Sequence, residues 1–382
     1  MAAHGQLARS LRVAAGAREA QAKYKSVLRL AHTADVHLGR AFSYLGEAAS
    51  AHQARLKRAF QRVFEQAREC DAVLIAGDLF DSPAVRRMWT AFALEVIADS
   101  RLPTIVIPGN HDPAGQHPFR DCTLPANLHF VAETGRVRLR ALDLEVVACP
   151  AGDAARWAAA LRRDPNGAPC QVALMHGSMP SIGSTGDIQP SWIEASALDY
   201  VALGDWHSPQ EWSRGQTVCW YSGAPEMILP RQRLPATICL VEWLHGSPVR
   251  VSHAITGEAR FPDGATDGVL EWDVSAAVDV QSLFQALRAR LSSETVATVR
   301  LVGRWNAEEP LDVPTLWEQL QPHCLWLEVQ TAYQTGTLQP RTPFESLLVQ
   351  LAQEYGTQTP PQADLYREAA QLCLHLLRGG RL

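Results

Sequence analysis

The feature that most constrains this sequence is a rhythm: five times along the chain, an apolar run of β-forming residues gives way to aspartate, histidine or asparagine. Val27–His32 precedes Asp35-Val36-His37, and Ala72–Ala76 precedes Gly77-Asp78 with Asp81 three places on. Thr104–Ile107 precedes Gly109-Asn110-His111-Asp112, Gln171–Met175 precedes His176, and Tyr200–Leu203 precedes Gly204-Asp205-Trp206-His207. Short runs without polar alternation read as strands buried on both faces. Such strands need cover above and below, so the chain is an α/β protein with layered sheets and helices. Polar residues collected just past the carboxyl ends of successive strands lie where α/β proteins bind their ligands.

The residue types narrow the chemistry. Asp35 and His37 project a carboxylate and an imidazole from one strand end. Asp78, directly after a buried strand and a glycine turn, suits a bridge between two cations, and Asp81 is placed to hydrogen-bond His37 from behind. Asn110 offers a neutral oxygen, His111 beside it is placed to serve a reacting group, and Asp112 is expected to hold His111. His176, Asp205 and His207 complete the set. Taken singly, each motif is usually a turn or a hydrogen-bonded structural residue. All five in one chain, each after a strand, point to a site for two divalent metals.

The remaining chain divides by texture. Residues 1–26 carry Arg9, Arg12, Arg18, Lys23 and Lys25 against Glu19 alone, without the apolar core of a secretory signal. They are expected to be disordered, or absent if translation starts near Val27. Residues 27–256 form the metal-bearing domain, in which β-rich runs at Val218–Tyr221, Thr237–Trp243 and Val249–His253 supply a second sheet. Residues 257–338 read as a small βαβαβ domain, with strands at Val269–Val274, Thr298–Gly303 and Leu325–Gln330 and helices at Val280–Leu291 and Val313–Leu320. Residues 339–382 hold two amphipathic helices, Phe344–Glu354 and Ala363–Leu377. Eight scattered cysteines without a CxxC pair look like reduced thiols, and no apolar run is long enough to span a membrane, so a soluble, cytoplasmic protein is expected. A net charge of −5 argues against a generally basic nucleic-acid coat, so any DNA contact is local.

These motifs resemble the calcineurin-like metallophosphoesterase superfamily, whose pattern is D-x-H, G-D-x-x-D, G-N-H-D/E, a lone His and G-H-x-H. The finer wording is similar to the SbcD branch of DNA repair exonuclease subunits. His32-Thr33-Ala34-Asp35-Val36-His37-Leu38-Gly39, Ala76-Gly77-Asp78-Leu79-Phe80-Asp81 and Tyr221-Ser222-Gly223-Ala224-Pro225 carry that likeness, which is best from Val27 to about Pro230. The resemblance implies a four-layer sandwich of two mixed β-sheets flanked by helices, with a small α+β capping domain and C-terminal helices. It implies that Asp35, His37, Asp78 and His207 hold one metal and that Asp78, Asn110, His176 and Asp205 hold the other. The chain departs from the family at Asp205, where the pattern has histidine. A carboxylate there favours a hard cation, manganese first, with iron(II) or magnesium as alternatives.

The activity so implied is two-metal hydrolysis of DNA phosphodiesters, with His111 as general acid and Asp112 as its support. The implied partners are DNA, an SbcC-type coiled-coil ATPase docked on the C-terminal helices, and a second copy in a homodimer. DNA-contact candidates are Arg40, Phe42, Tyr44, Arg86, Arg87, Arg231 and Arg233. Two other readings compete: a small-molecule phosphodiesterase or phosphatase of the same superfamily, and a non-catalytic scaffold with a degenerate metal site.

Overall fold

The computed structural model describes residues 27–182, 187–230, 232, 234–307, 309–335, 340–358 and 362–378. The expectation for residues 1–26, and the candidates Arg231 and Arg233, lie outside the described residues. The chain forms two compact units: one runs to Ile228 and resumes over Pro235–Glu258, and the other takes Leu229–Leu234 and the chain from Ala259 onward.

In chain order the first unit contains β1 (Leu28–Thr33), α1 (Ala49–Gln66), β2 (Ala72–Ala76), α2 (Arg87–Ser100), β3 (Thr104–Ile107), β4 (Leu128–Phe130), β5 (Gly135–Leu139) and β6 (Leu144–Cys149). It continues through α3 (Ala154–Ala160), β7 (Cys170–His176), α4 (Pro190–Ser196), β8 (Tyr200–Gly204), β9 (Gln210–Glu211), β10 (Val218–Tyr221), β11 (Thr237–Trp243) and β12 (Arg250–Ile255). One six-stranded sheet has the order β12-β11-β1-β2-β3-β4 and the other β5-β6-β7-β8-β10-β9. Both are mixed. β1 to β4 run parallel, with β11 antiparallel to β1; β6, β7, β8 and β10 run parallel, with β5 antiparallel at one edge and β9 at the other.

The two sheets face each other across a single apolar core. Leu30, Leu74, Ile105 and Ile107 from the first meet Val146, Val172, Leu174 and Tyr200 from the second. The outer face of the second sheet packs Val147, Ala173 and Val201 against Trp157 of α3 and Ile193 of α4. α1 lies on the first sheet beside α2 and buries Leu56, Ala59, Phe60 and Val63 at helical spacing. Cover on both faces explains why β2, β7 and β8 are buried at every position. The expected four layers, helix, sheet, sheet and helix, are present.

The second unit is a three-stranded parallel sheet of β13 (Val269–Asp273), β14 (Val296–Val302) and β16 (Trp326–Thr331), in the order β13-β14-β16. β15 (Arg304–Trp305) and β17 (Gln334–Thr335) pair beside it. Helices α5 (Val280–Arg288) and α6 (Val313–Leu320) supply the crossovers. Asp279 and Asp312 cap them by accepting from the backbone N–H of Ser282 and Thr315, contacts worth about 1 kcal/mol each. α5 ends three residues before the expected Leu291, which instead tucks into the core of this unit. The last helices are α7 (Pro343–Gln358) and α8 (Ala363–Leu377). On α7, Phe344, Leu347 and Leu351 are between 40% and 58% exposed, leaving an apolar stretch of the helix open, while Tyr355 on the same side stacks near Tyr366.

Candidate metal centre

The polar clusters sit where β1, β2, β3, β7 and β8 end. Because β1 and β2 are parallel neighbours, their loops leave side by side and keep pairing past the strands. The Asp35 N–H donates to the Gly77 carbonyl at 3.2 Å and the His37 N–H to the Asp78 carbonyl at 3.0 Å. This close approach strains the backbone. Asp35, His37, Asp78 and Asp205 have φ of 55°, 51°, 51° and 101°, in the region that non-glycine residues avoid. Such strain costs of order 1–3 kcal/mol per residue and gathers at functional sites. Glycine relieves the crowding where it can: a β-carbon at Gly109 would overlap the Asp78 carboxylate, and one at Gly77 would overlap the His176 ring.

Three overlapping groups result, each with ligand atoms within 4.8 Å of one another: Asp35, His37 and His207; His37, Asp78 and His111; and Asp35, Asp78 and His176. His37 Nε2 and His176 Nε2 each lie 3.6 Å from Asp78 Oδ2. Asn110 Oδ1 is 2.7 Å from His176 Nε2, and Asp205 Oδ1 is 3.9 Å from the same nitrogen. The Asp205 N–H donates to the Asp35 carboxylate at 3.1 Å across 170 residues of chain. All seven expected ligands are therefore brought to one place.

The rings are held from behind. His176 Nδ1 lies 2.8 Å from the Ala76 carbonyl, which fixes the proton on Nδ1 and turns Nε2 toward Asp78 and Asn110. His37 Nδ1 lies 3.2 Å from Asp81 Oδ1, and the same oxygen accepts from Arg40 Nη1 at 2.9 Å. Among the described residues neither His37 nitrogen has an aligned hydrogen-bond partner: Nδ1 meets Asp81 as a close ionic approach, and Nε2 is buried on the side of Asp78. Its near polar neighbour among the described ligands is a carboxylate oxygen 3.6 Å away, which suits a nitrogen that donates its lone pair to a cation.

The electrostatics fit a cation as well. Burial drives the Asp35 carboxyl well above its ordinary range, and Asp78 and Asp205 add to the rise. Burial and then Asp78 raise Asp205. For His176, burial alone would lower the imidazole, but Asp78, Asp35 and the Ala76 carbonyl outweigh it and hold the ring up, at about 9. That imidazolium faces a cluster of acceptors that a cation would otherwise satisfy. Burial, followed by His37 and Arg40, pushes His207 down to about 3, the neutral state that ligates metal. Three carboxylates, three imidazoles and an amide oxygen, with an unbonded buried nitrogen among them, form a donor set suited to divalent ions.

One expectation is corrected. Asp112 does not hold His111. Its buried carboxylate accepts from Gly109 N–H at 2.7 Å and Phe80 N–H at 3.0 Å, and it lies 3.2 Å from His117 Nε2. His111 is held instead by the Asp81 carbonyl, 3.0 Å from Nδ1, while its own N–H donates to Asp78 Oδ1 at 2.8 Å. The geometry is simple: adjacent residues on a tight turn point apart. Phe42 is buried and so cannot meet a ligand, whereas Tyr44, Arg86 and Arg87 are exposed.

Sequence reasoning passed over His32 and His117. His32 is fully buried between the sheets, 2.9 Å from the Tyr200 hydroxyl and 3.1 Å from the Leu203 carbonyl, and burial holds it down at about 3. It ties β1 to β8 beneath the metal groups. Its place inside an apolar run was the available signal, since a polar side chain there must find partners.

Comparison with known proteins places these observations. Residues 28–209 match the family model described as calcineurin-like phosphoesterase. The chain is 27% identical over 233 residues to the DNA double-strand break repair protein Mre11 of Methanopyrus kandleri, covering 53% of this chain and 49% of that protein. It is 28% identical over 255 residues to the SbcD subunit of the nuclease SbcCD from Rhodobacter capsulatus, covering 52% of this chain and 62% of that protein. The chain thus spans about half to three fifths of the length of these relatives. Purple acid phosphatase PPD1 from yellow lupin seeds aligns in structure over 61% of this chain and 52% of that one, at 13% identity and a TM-score of 0.41.

Proposed function

Given that residues 28–209 of this chain are a calcineurin-like phosphoesterase domain, we propose that it is a two-metal phosphodiesterase acting on DNA. The observation that carries this reading is the meeting of Asp35, His37, Asp78, His176 and His207 in overlapping groups at the ends of four strands. In this reading Asp35, His37, Asp78 and His207 hold one ion, and Asp78, Asn110, His176 and Asp205 the other, with manganese the first choice and iron(II) or magnesium next. When bound, such ions supply a nucleophile at neutral pH and offset the charge of a phosphate diester. The chain itself serves the leaving group. With His111 Nδ1 engaged by the Asp81 carbonyl, Nε2 is left to pass a proton to the departing sugar oxygen, a role worth a factor of ~10² to 10⁴.

DNA as substrate is supported by the two relatives and by exposed Tyr44, Arg86 and Arg87 beside the first two motifs. Contacts there would be to phosphates and sugars, reading shape more than sequence. The open apolar stretch of α7 supports docking of an SbcC-type ATPase in a dimeric assembly. A second reading, a phosphodiesterase for small nucleotides, is favoured by the net charge of −5.

The test is manganese-dependent digestion of linear and hairpin DNA beside bis-p-nitrophenyl phosphate, with Asp78→Ala as the blank. Loss of both activities in the blank, and loss of rate with retained manganese binding in His111→Leu, is expected. Hydrolysis of the small ester but not of DNA would move the assignment to the second reading. No hydrolysis and no metal uptake would leave only a binding protein.

A further inference from the structure

Asp112 and His117 form a buried pair that no ligand assignment uses. Both are fully or almost fully buried, at 0% and 2% exposed. The His117 ring is wedged among Phe80, Phe119 and Phe130, with centroids at 5.6, 5.1 and 4.3 Å. Its tautomer follows from one contact. The Phe119 N–H donates to His117 Nδ1 at 3.1 Å, so Nδ1 carries the lone pair and Nε2 carries the proton. That edge of the ring lies 3.2 Å from Asp112 Oδ2, an electrostatic contact in a buried setting that falls short of hydrogen-bond alignment.

The carboxylate so held joins two loops. Oδ1 accepts from Gly109, next to Asn110, and Oδ2 accepts from Phe80, next to Asp81 and two residues from Asp78. A carboxylate taken out of water needs several donors to stay in place. Here the two backbone N–H groups belong to the very loops being positioned, and the imidazole, five residues past Asp112 on the Asn110 loop, is fixed by an aromatic cluster that includes Phe80 of the Asp78 loop and Phe130 of β4. We propose that His117 is a positioning residue: through Asp112 it sets the spacing between the Asp78 and Asn110 loops, and so metal affinity and the aim of His111. The inference rests on the metal-centre reading above. Groups that orient a ligand from behind typically govern 10- to 100-fold in affinity or activity.

The test compares His117→Phe, which keeps the ring volume but has no donor, with His117→Gln, whose amide nitrogen takes the place of Nε2. Manganese affinity is measured by titration calorimetry, kcat and KM are measured on bis-p-nitrophenyl phosphate, and thermal unfolding is followed in chelator. The expected result is about tenfold weaker manganese binding and a kcat lowered about tenfold or more in His117→Phe, with KM within about twofold and recovery of most of both losses in His117→Gln. Should His117→Phe fail to fold, His117→Asn takes its place, because its shorter amide cannot reach Asp112. Variants that unfold earlier yet bind manganese like the wild type overturn the inference, as does a glutamine variant as damaged as the donor-free one. A wild type that takes up no metal overturns the metal-centre reading and this inference with it. A wild type that loads metal beside a donor-free variant that loads it equally well overturns the inference alone.

Discussion

Asp205 sits at φ 101°, where a side chain has little room, and its carboxyl is raised by burial and by Asp78. Without a cation it is therefore a cost to the fold. Asp205→Gly keeps the backbone N–H that donates to Asp35. It should raise the unfolding free energy of chelator-treated protein by about 1 kcal/mol, roughly 2–4 °C for a unit of this size, while weakening manganese binding. Denaturant melts in chelator and a manganese titration check both halves, and a lower melting point would refute the strain argument. At this scale the ligands were legible because metal chemistry admits few residue types. Aspartate, histidine and asparagine past a strand end stand out wherever the chain leads. Asp112 was misread because a side chain's direction on a turn is not encoded in adjacency. His117 was missed because the rings that enclose it, Phe80 and Phe130, come from other segments, and the sequence carries no distance between segments.

Among elements, the strands buried on both faces declared themselves, and β2, β3, β10 and β11 occupy the expected residues. Of the three runs expected to supply a second sheet, however, only β10 lies there, since β11 and β12 extend the first sheet beyond β1. β4, β5 and β9 did not declare themselves. They are short or lie at sheet edges, and the sequence of β5, Gly135-Arg136-Val137-Arg138-Leu139, alternates as a strand covered on one side only. α1 is fastened to the end of the first unit by Arg58 and Arg62, both bound to Glu258. Those arginines, the Arg58 hydrogen bond first, hold the Glu258 carboxyl down at about 2 against an ordinary 4.5. A lowered carboxyl stabilises the fold above its unfolded value, and the contribution fades as pH falls from about 4.5 toward about 2. Glu258→Gln should thus cost about 1 kcal/mol at pH 7, the scale of a partly solvated ion-pair network, and progressively less below pH 4.5. Urea unfolding at pH 7, 4 and 3 measures the difference, and a gap that stays constant with pH would rule out the ionic account.

For the whole molecule, all seven candidate ligands belong to one of the two compact units. Ions that bind only the folded form stabilise it by mass action, about 2.7 kcal/mol at a hundredfold excess over Kd. Manganese should therefore raise the melting transition of the sandwich unit by roughly 5–10 °C, and chelator should reverse it. Calorimetry with and without manganese would show this, and an unmoved transition would count against any metal centre in the first unit. No helix among the described residues is long and apolar enough to cross a membrane. What the sequence alone determined is the layered α/β architecture and the identity of the donor atoms, because burial on two faces and metal ligation each demand particular residues at particular spacings. What only the tertiary structure decided is which loops meet, which backbone positions bear strain and which groups hold the ligands from behind. Those depend on contacts between distant segments, as between Asp35 and Asp205, 170 residues apart, and packing alone sets them.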